Sequence, residues 1–133
     1  KIIPFLNKND SQDMKIFNNL ILQSHILFLP TRADCTPMVF AEANAFGLPV
    51  VTTDTGGVSS IVKNGINGYS LPFESTSNDY ADKIETLLID RDKLKALSIQ
   101  SRKEYESRLN WDSWGLRLQE ILTQEILINK GQV

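Results

Sequence analysis

Glu42-Ala43-Asn44-Ala45-Phe46-Gly47-Leu48-Pro49-Val50-Val51-Thr52 places a helix end, a glycine stop and an apolar strand in one short stretch. Gly47 follows the last helical residues, where a left-handed residue ends a helix most readily. Leu48 to Thr52 is a short run apolar on both faces, which suits a buried parallel strand. Upstream, Thr36-Pro37 reads as the start of the same helix, with Thr36 at the N-cap and Pro37 at the first helical position. Before it, Thr31 to Cys35 is a loop. His25 to Leu29 is a second buried strand, closed by Pro30.

The pattern repeats outward. Ile2 to Leu6 reads as a strand, and Asn7-Lys8-Asn9-Asp10 as a turn. Asp10 or Ser11 then caps a helix whose face carries Met14, Phe17 and Ile21. Downstream, Thr53 to Gly57 is a glycine turn and Val58 to Lys63 a short helix. Asn64-Gly65 and Asn67-Gly68 flank a last strand, Tyr69 to Leu71. From Ser77 the spacing is helical: Tyr80, Ile84, Leu87 and Leu88 form one stripe, and Leu94, Leu97 and Tyr105 a second. Leu118, Ile121, Leu122 and Ile126 mark a C-terminal helix over 110–128. Strands alternating with helices predict an α/β, doubly wound, Rossmann-like parallel sheet with helices on both faces. Residues 1–133 are expected to form one domain.

Composition narrows the function. The chain has 133 residues, 14 basic against 16 acidic, and a net charge of −2. That balance argues against a nucleic-acid surface. One cysteine, Cys35, excludes an internal disulfide and a cysteine-rich zinc site; one histidine, His25, argues against a histidine metal site. No acidic cluster for Mg²⁺ stands out, so no metal and no cofactor are expected. No apolar run approaches the roughly 20 residues that span a bilayer. No signal peptide is visible, and a cytoplasmic setting is expected. The chain opens on Lys1-Ile2-Ile3 without an initiator methionine and is expected to be a piece of a longer protein.

Sheets of this kind bind ligands at the carboxyl ends of their strands. Two loops lie there, Pro30 to Pro37 and Thr52 to Gly57. The first runs into a helix start, where the amides of Met38, Val39 and Phe40 lack intrahelical acceptors. With the helix dipole they favour an anion, although most helix starts of this kind are purely structural. Thr36, as a cap, would compete for one donor. Asp34 and Glu42 stand before and within the helix. Carboxylates accept paired hydrogen bonds from neighbouring hydroxyls, as on a ribose or hexose ring. A favourable dipole alone would also explain Asp34, and a solvated face Glu42. Gly56-Gly57 permits close backbone approach, and the amides of Gly57 and Val58 are candidate donors. The pair does not extend to a dinucleotide fingerprint. Cys35 reads as a half-buried filler, His25 as a strand-end residue with a satisfied hydrogen bond. Trp111 and Trp114 are expected to anchor the last helix on this domain or on an absent one.

Leu29 to Pro72 resembles the donor-binding C-terminal domain of retaining GT-B glycosyltransferases, the glycosyl transferases group 1 family. There, a strand ends in Pro-Ser and is followed by two acids with seven residues between them. Then come Ala-x-Ala-x-Gly-x-Pro-Val, a Gly-Gly turn and a closing Gly-x-x-Gly. Here these read Leu29-Pro30-Thr31, Asp34 and Glu42, Ala43 to Val51, Gly56-Gly57, and Gly65-Ile66-Asn67-Gly68. Asn110-Trp111 resembles the aromatic motif before the family's last helix.

The resemblance implies a hexosyl transfer from a UDP- or GDP-linked sugar to an acceptor hydroxyl, in polysaccharide, lipopolysaccharide or glycoconjugate synthesis. It implies that Glu42 binds the ribose hydroxyls and that Asp34, the candidate catalytic residue, meets the sugar ring. The backbone of Thr36, Met38 and Val39 would line sugar and phosphate, while Gly56 and Gly57 keep the neighbouring loop compact. Asp34 stands where glutamate is usual, Thr36-Pro37 replaces Phe-Gly, and Ser59-Ser60 replaces an acid after the glycine turn. The family's diphosphate-binding arginine and lysine lie upstream of this chain; Lys8 and Arg32 are the nearby cations and are assigned neither role. A missing N-terminal domain would bind the acceptor, and the parent enzyme would sit in the cytoplasm or on a membrane surface. The chain alone is expected to be inactive. The alternative is a degenerate, non-catalytic interaction domain of the same fold. An epimerase or dehydrogenase piece ranks last, for want of the glycine fingerprint.

Overall fold

The computed structural model describes residues 2–130, with side chains as far as Ile126. Asp10 opens the first helix, α1 (Ser11–Leu22), accepting from the amides of Gln12 and Asp13 at 2.9 and 3.0 Å. The chain then alternates β1 (Leu27–Leu29), α2 (Met38–Ala45), β2 (Val50–Thr53), α3 (Val58–Ile61) and β3 (Gly68–Leu71). Three helices follow: α4 (Ser77–Ile89), α5 (Arg91–Arg108) and α6 (Trp111–Lys130). The strands form one parallel sheet in the order β1-β2-β3, with Phe28 opposite Val51 and Val51 opposite Tyr69. This is the expected α/β architecture, with α2 and α3 as its crossovers.

β2 is the centre. Side chains alternate across a strand, so Val50 and Val51, both fully buried, serve opposite faces. Val50 packs with Phe40, Ala43, Leu48, Val58 and Ile61 on the α2 side. Val51 packs with Leu71, Tyr80, Leu87 and Leu97 on the α4–α5 side. Gly47 ends α2 with φ +70°, as its place in the sequence predicts. Two buried asparagines tie helix to loop. Asn67 donates to the side-chain oxygen of Asn44 at 2.6 Å and to the Ile61 carbonyl at 2.9 Å, and accepts from the Lys63 amide at 2.7 Å. Asn44 in turn donates to the Leu48 carbonyl at 3.1 Å.

Several expectations need correction. Ile2 to Leu6 forms no strand. Pro4 has no N–H to give a ladder, and Ile2 and Phe5, 96% and 91% exposed, gain no burial there. The strand expected from His25 begins at Leu27, and Phe28 and Leu29 are exposed. Among the described residues β1 is paired on one side only, so its apolar run lies at a sheet edge. His25 is exposed, as is Cys35. Trp111 and Trp114 do not pack into the domain; they are 69% and 57% exposed and stack edge to face on each other at 5.8 Å. What joins α6 to α5 is Asn110. Its side chain donates to the carbonyls of Tyr105 and Glu106 and accepts from the Ser113 amide at 2.8 Å.

Glu104 lies between Arg108 and Lys63 and is largely covered. Burial pushes its carboxyl up, but hydrogen bonds and charge from Arg108 and Lys63 outweigh that and hold it below the usual 4.5. A carboxyl lowered on folding adds stability above its unfolded value and loses it as pH falls through the folded one. Glu104→Gln is therefore expected to be less stable than wild type at neutral pH, with the gap closing as pH falls below 4.5. Urea midpoints at the two ends of that range check this; an unchanged gap refutes it.

Candidate functional site

The loops after β1 and β2 meet at the carboxyl end of the sheet. Asp34 makes the junction. Its side chain accepts from the Thr36 amide at 3.1 Å, forming a local Asx turn, and its carbonyl accepts from the Gly57 amide at 3.2 Å. The fit leaves no room for a side chain on the glycine turn. A Cβ on Gly56 (φ +52°) would stand 2.1 Å from the Asp34 carbonyl oxygen, and one on Gly57 1.8 Å from that of Cys35. Gly56 and Gly57 thus fasten one loop to the other.

This geometry revises the donor inventory. Thr36 does not cap α2; the helix starts at Met38 with Pro37 at the N-cap, and no side chain caps it. Thr36's own amide is engaged by the Asp34 side chain. The amides of Gly57 and Val58 are not free either: they bond the carbonyls of Asp34 and Thr55. Phe40's amide bonds the Pro37 carbonyl at 3.0 Å. Among the described residues, the amides of Met38 and Val39 are left without acceptors, at the positive end of the α2 dipole. Their side chains are exposed.

Glu42 lies one turn further along α2, half exposed. Lys8, from the turn before α1, donates to both its carboxylate oxygens at 2.7 and 2.8 Å. The sequence marks Lys8 as a nearby cation without a role, because nothing local links residues 34 positions apart. Arg32 points elsewhere. Its guanidinium lies 5.2 Å from the Phe73 ring centroid, beside a cleft of about 530 Å³ lined by Phe28, Pro30, Thr53, Phe73 and Tyr80. No group of three or more His, Cys, Asp or Glu gathers into a metal-holding cluster among the described residues. No described helix is long and apolar enough to cross a membrane.

The glycosyl transferases group 1 family is matched over residues 4–104, most of the chain. The chain belongs to that family. Spore coat protein SA of Bacillus subtilis is 37% identical over 73 residues, 55% of this chain and 19% of that protein. A D-inositol 3-phosphate glycosyltransferase of Nocardia farcinica is 33% identical over 76 residues, 57% of this chain and 17% of that one. A GDP-mannose-dependent alpha-(1-6)-phosphatidylinositol monomannoside mannosyltransferase of Mycobacterium tuberculosis is 32% identical over 85 residues, 64% of this chain and 22% of that one. The chain thus spans about a fifth of the length of these relatives. Its fold matches sucrose-phosphate synthase from Thermosynechococcus elongatus with a TM-score of 0.68 and 23% identity, over 79% of this chain and 26% of that one.

Proposed function

We propose that this chain is the donor-binding part of a retaining glycosyltransferase of hexosyl type. The parent enzyme moves a sugar from a UDP- or GDP-linked donor to an acceptor hydroxyl, in polysaccharide, lipopolysaccharide or glycoconjugate synthesis. The observation that carries this reading is the pairing of two acceptor-free amides, Met38 and Val39, with the Glu42 carboxylate one turn along the same helix. The amides and the α2 dipole suit a diphosphate or a sugar oxygen. Glu42 suits the adjacent hydroxyls of a ribose. Asp34, held by the Gly57 amide and turned on its own side chain, presents the loop toward the sugar ring.

In this reading the chain's residues position the donor and offset the charge of the leaving diphosphate. No step is assigned to a metal. The acceptor is bound by an N-terminal domain of the longer protein, so the chain alone transfers no sugar. The parent works in the cytoplasm or on the membrane surface facing it, where nucleotide sugars are drawn on. A second reading, a non-catalytic interaction domain of the same fold, is favoured by one observation: Pro37 and the engaged Gly57 amide leave fewer donors than the family pattern offers.

The two readings part in a titration of the ¹⁵N-labelled chain with UDP, GDP and their sugar conjugates. Weak, saturable shifts at Met38, Val39, Glu42 and Gly57 are the expected result. Glu42→Gln is expected to weaken ribonucleotide binding roughly tenfold, as loss of charge-assisted hydrogen bonds does. An absence of shifts at millimolar ligand would sink the donor reading and leave the interaction domain.

A further inference from the structure

We propose that Lys8 is a positioning residue for Glu42, presetting the carboxylate that takes the ribose hydroxyls. The inference rests on the donor reading above. Lys8 Nζ donates to Oε1 at 2.7 Å and to Oε2 at 2.8 Å, so it fixes the plane of the carboxylate and not merely its charge. A carboxylate offers about four lone-pair directions. Lys8 takes one on each oxygen and leaves the outward directions to accept from hydroxyls.

The turn that carries Lys8 is built to hold it. The Asn7 amide donates to Asp13 Oδ2 at 2.9 Å, and the Asn9 amide to Asn7 Oδ1 at 3.0 Å. The Asp10 amide donates to the Asn7 carbonyl at 2.9 Å, and Asp10 itself caps α1. The ammonium also sits 4.9 Å from the Phe17 ring centroid, which restricts its swing. Stability does not account for this arrangement. The two side chains are 51% and 42% exposed, and ion pairs in that setting add little to folding. What the pair does provide is a single orientation for a long, flexible side chain before a ligand arrives, which spares the ordering that binding would otherwise require.

The test compares UDP with 2′-deoxy-UDP, and GDP with 2′-deoxy-GDP, by amide-shift titration of wild type, Lys8→Met, Lys8→Arg, Glu42→Gln and the Lys8→Met/Glu42→Gln double variant. Lys8→Met is expected to weaken the better-bound ribonucleotide about fivefold and to leave its deoxy counterpart within about twofold. Lys8→Arg restores most of the ribose preference, and Lys8→Met adds nothing in the Glu42→Gln background. The urea midpoint of Lys8→Met stays near that of wild type. A ribose preference that survives Lys8→Met, or equal losses for ribo and deoxy ligands, overturns the role of Lys8 while leaving the donor site standing. A wild type with no ribose preference and a silent Glu42→Gln overturns the donor reading, and this inference with it.

Discussion

Gly57→Ala is expected to destabilise the domain by about 3 kcal/mol, the upper range for forcing an extra carbon into a filled site. The new Cβ would stand 1.8 Å from the Cys35 carbonyl oxygen. That neighbour is backbone, so it cannot swing aside as the end of a side chain would. Either the Thr53–Gly57 turn or the Asp34–Cys35 loop must move, and the hydrogen bond from the Gly57 amide to Asp34 breaks with it. The melting temperature should fall by roughly 10 °C, and the nucleotide-induced shifts at Met38 and Val39 should weaken in parallel. Ser59→Ala, on the exposed side of α3, serves as the control and should stay within about 0.5 kcal/mol of wild type. If Gly57→Ala is as mild as that control, the close contact between the two loops does not exist in solution.

Asn67→Ala should have the largest effect on stability, about 4 kcal/mol. The side chain is fully buried and makes three bonds, to Asn44, Ile61 and Lys63. Its removal strands the Asn44 amide oxygen and the Lys63 N–H, each at roughly 1–3 kcal/mol, while the Ile61 carbonyl keeps its bond from Arg108. Because Asn44 faces Asn67 directly, losses at the two positions should not add. Asn44→Ala/Asn67→Ala is expected to fall short of the summed single losses by about 1 kcal/mol, measured as a double-mutant cycle in urea. Additive losses would mean that the two amides do not act as one network.

The segments that declared themselves in the sequence are those whose own residues settle their state. Gly47 ends α2 because glycine takes the left-handed backbone there without strain. Leu48 to Thr52 is buried because β2 has a strand on each edge and helices packed over each face. Ile2 to Leu6 and His25 to Leu29 carry similar apolar runs, but an apolar run does not reveal how many neighbours its strand will have. One becomes irregular chain and the other an exposed edge. Around α2 the start lies one residue later than the Thr36-Pro37 pair suggests: Pro37 stands at the N-cap, and Asp34 forms the turn before it. The spacing of Asp34 and Glu42 was legible, as was the compact glycine turn. Lys8 was not, since its partner is distant in sequence and its own surroundings spell only a turn.

β2 has one more consequence. Val50 belongs to the core on one side of the sheet and Val51 to the core on the other, and both are anchored in the same few residues of backbone. Neither half of the core survives the departure of β2. The two hydrophobic layers are therefore expected to melt together, since a half-molten form that keeps one of them needs the strand that the other also holds.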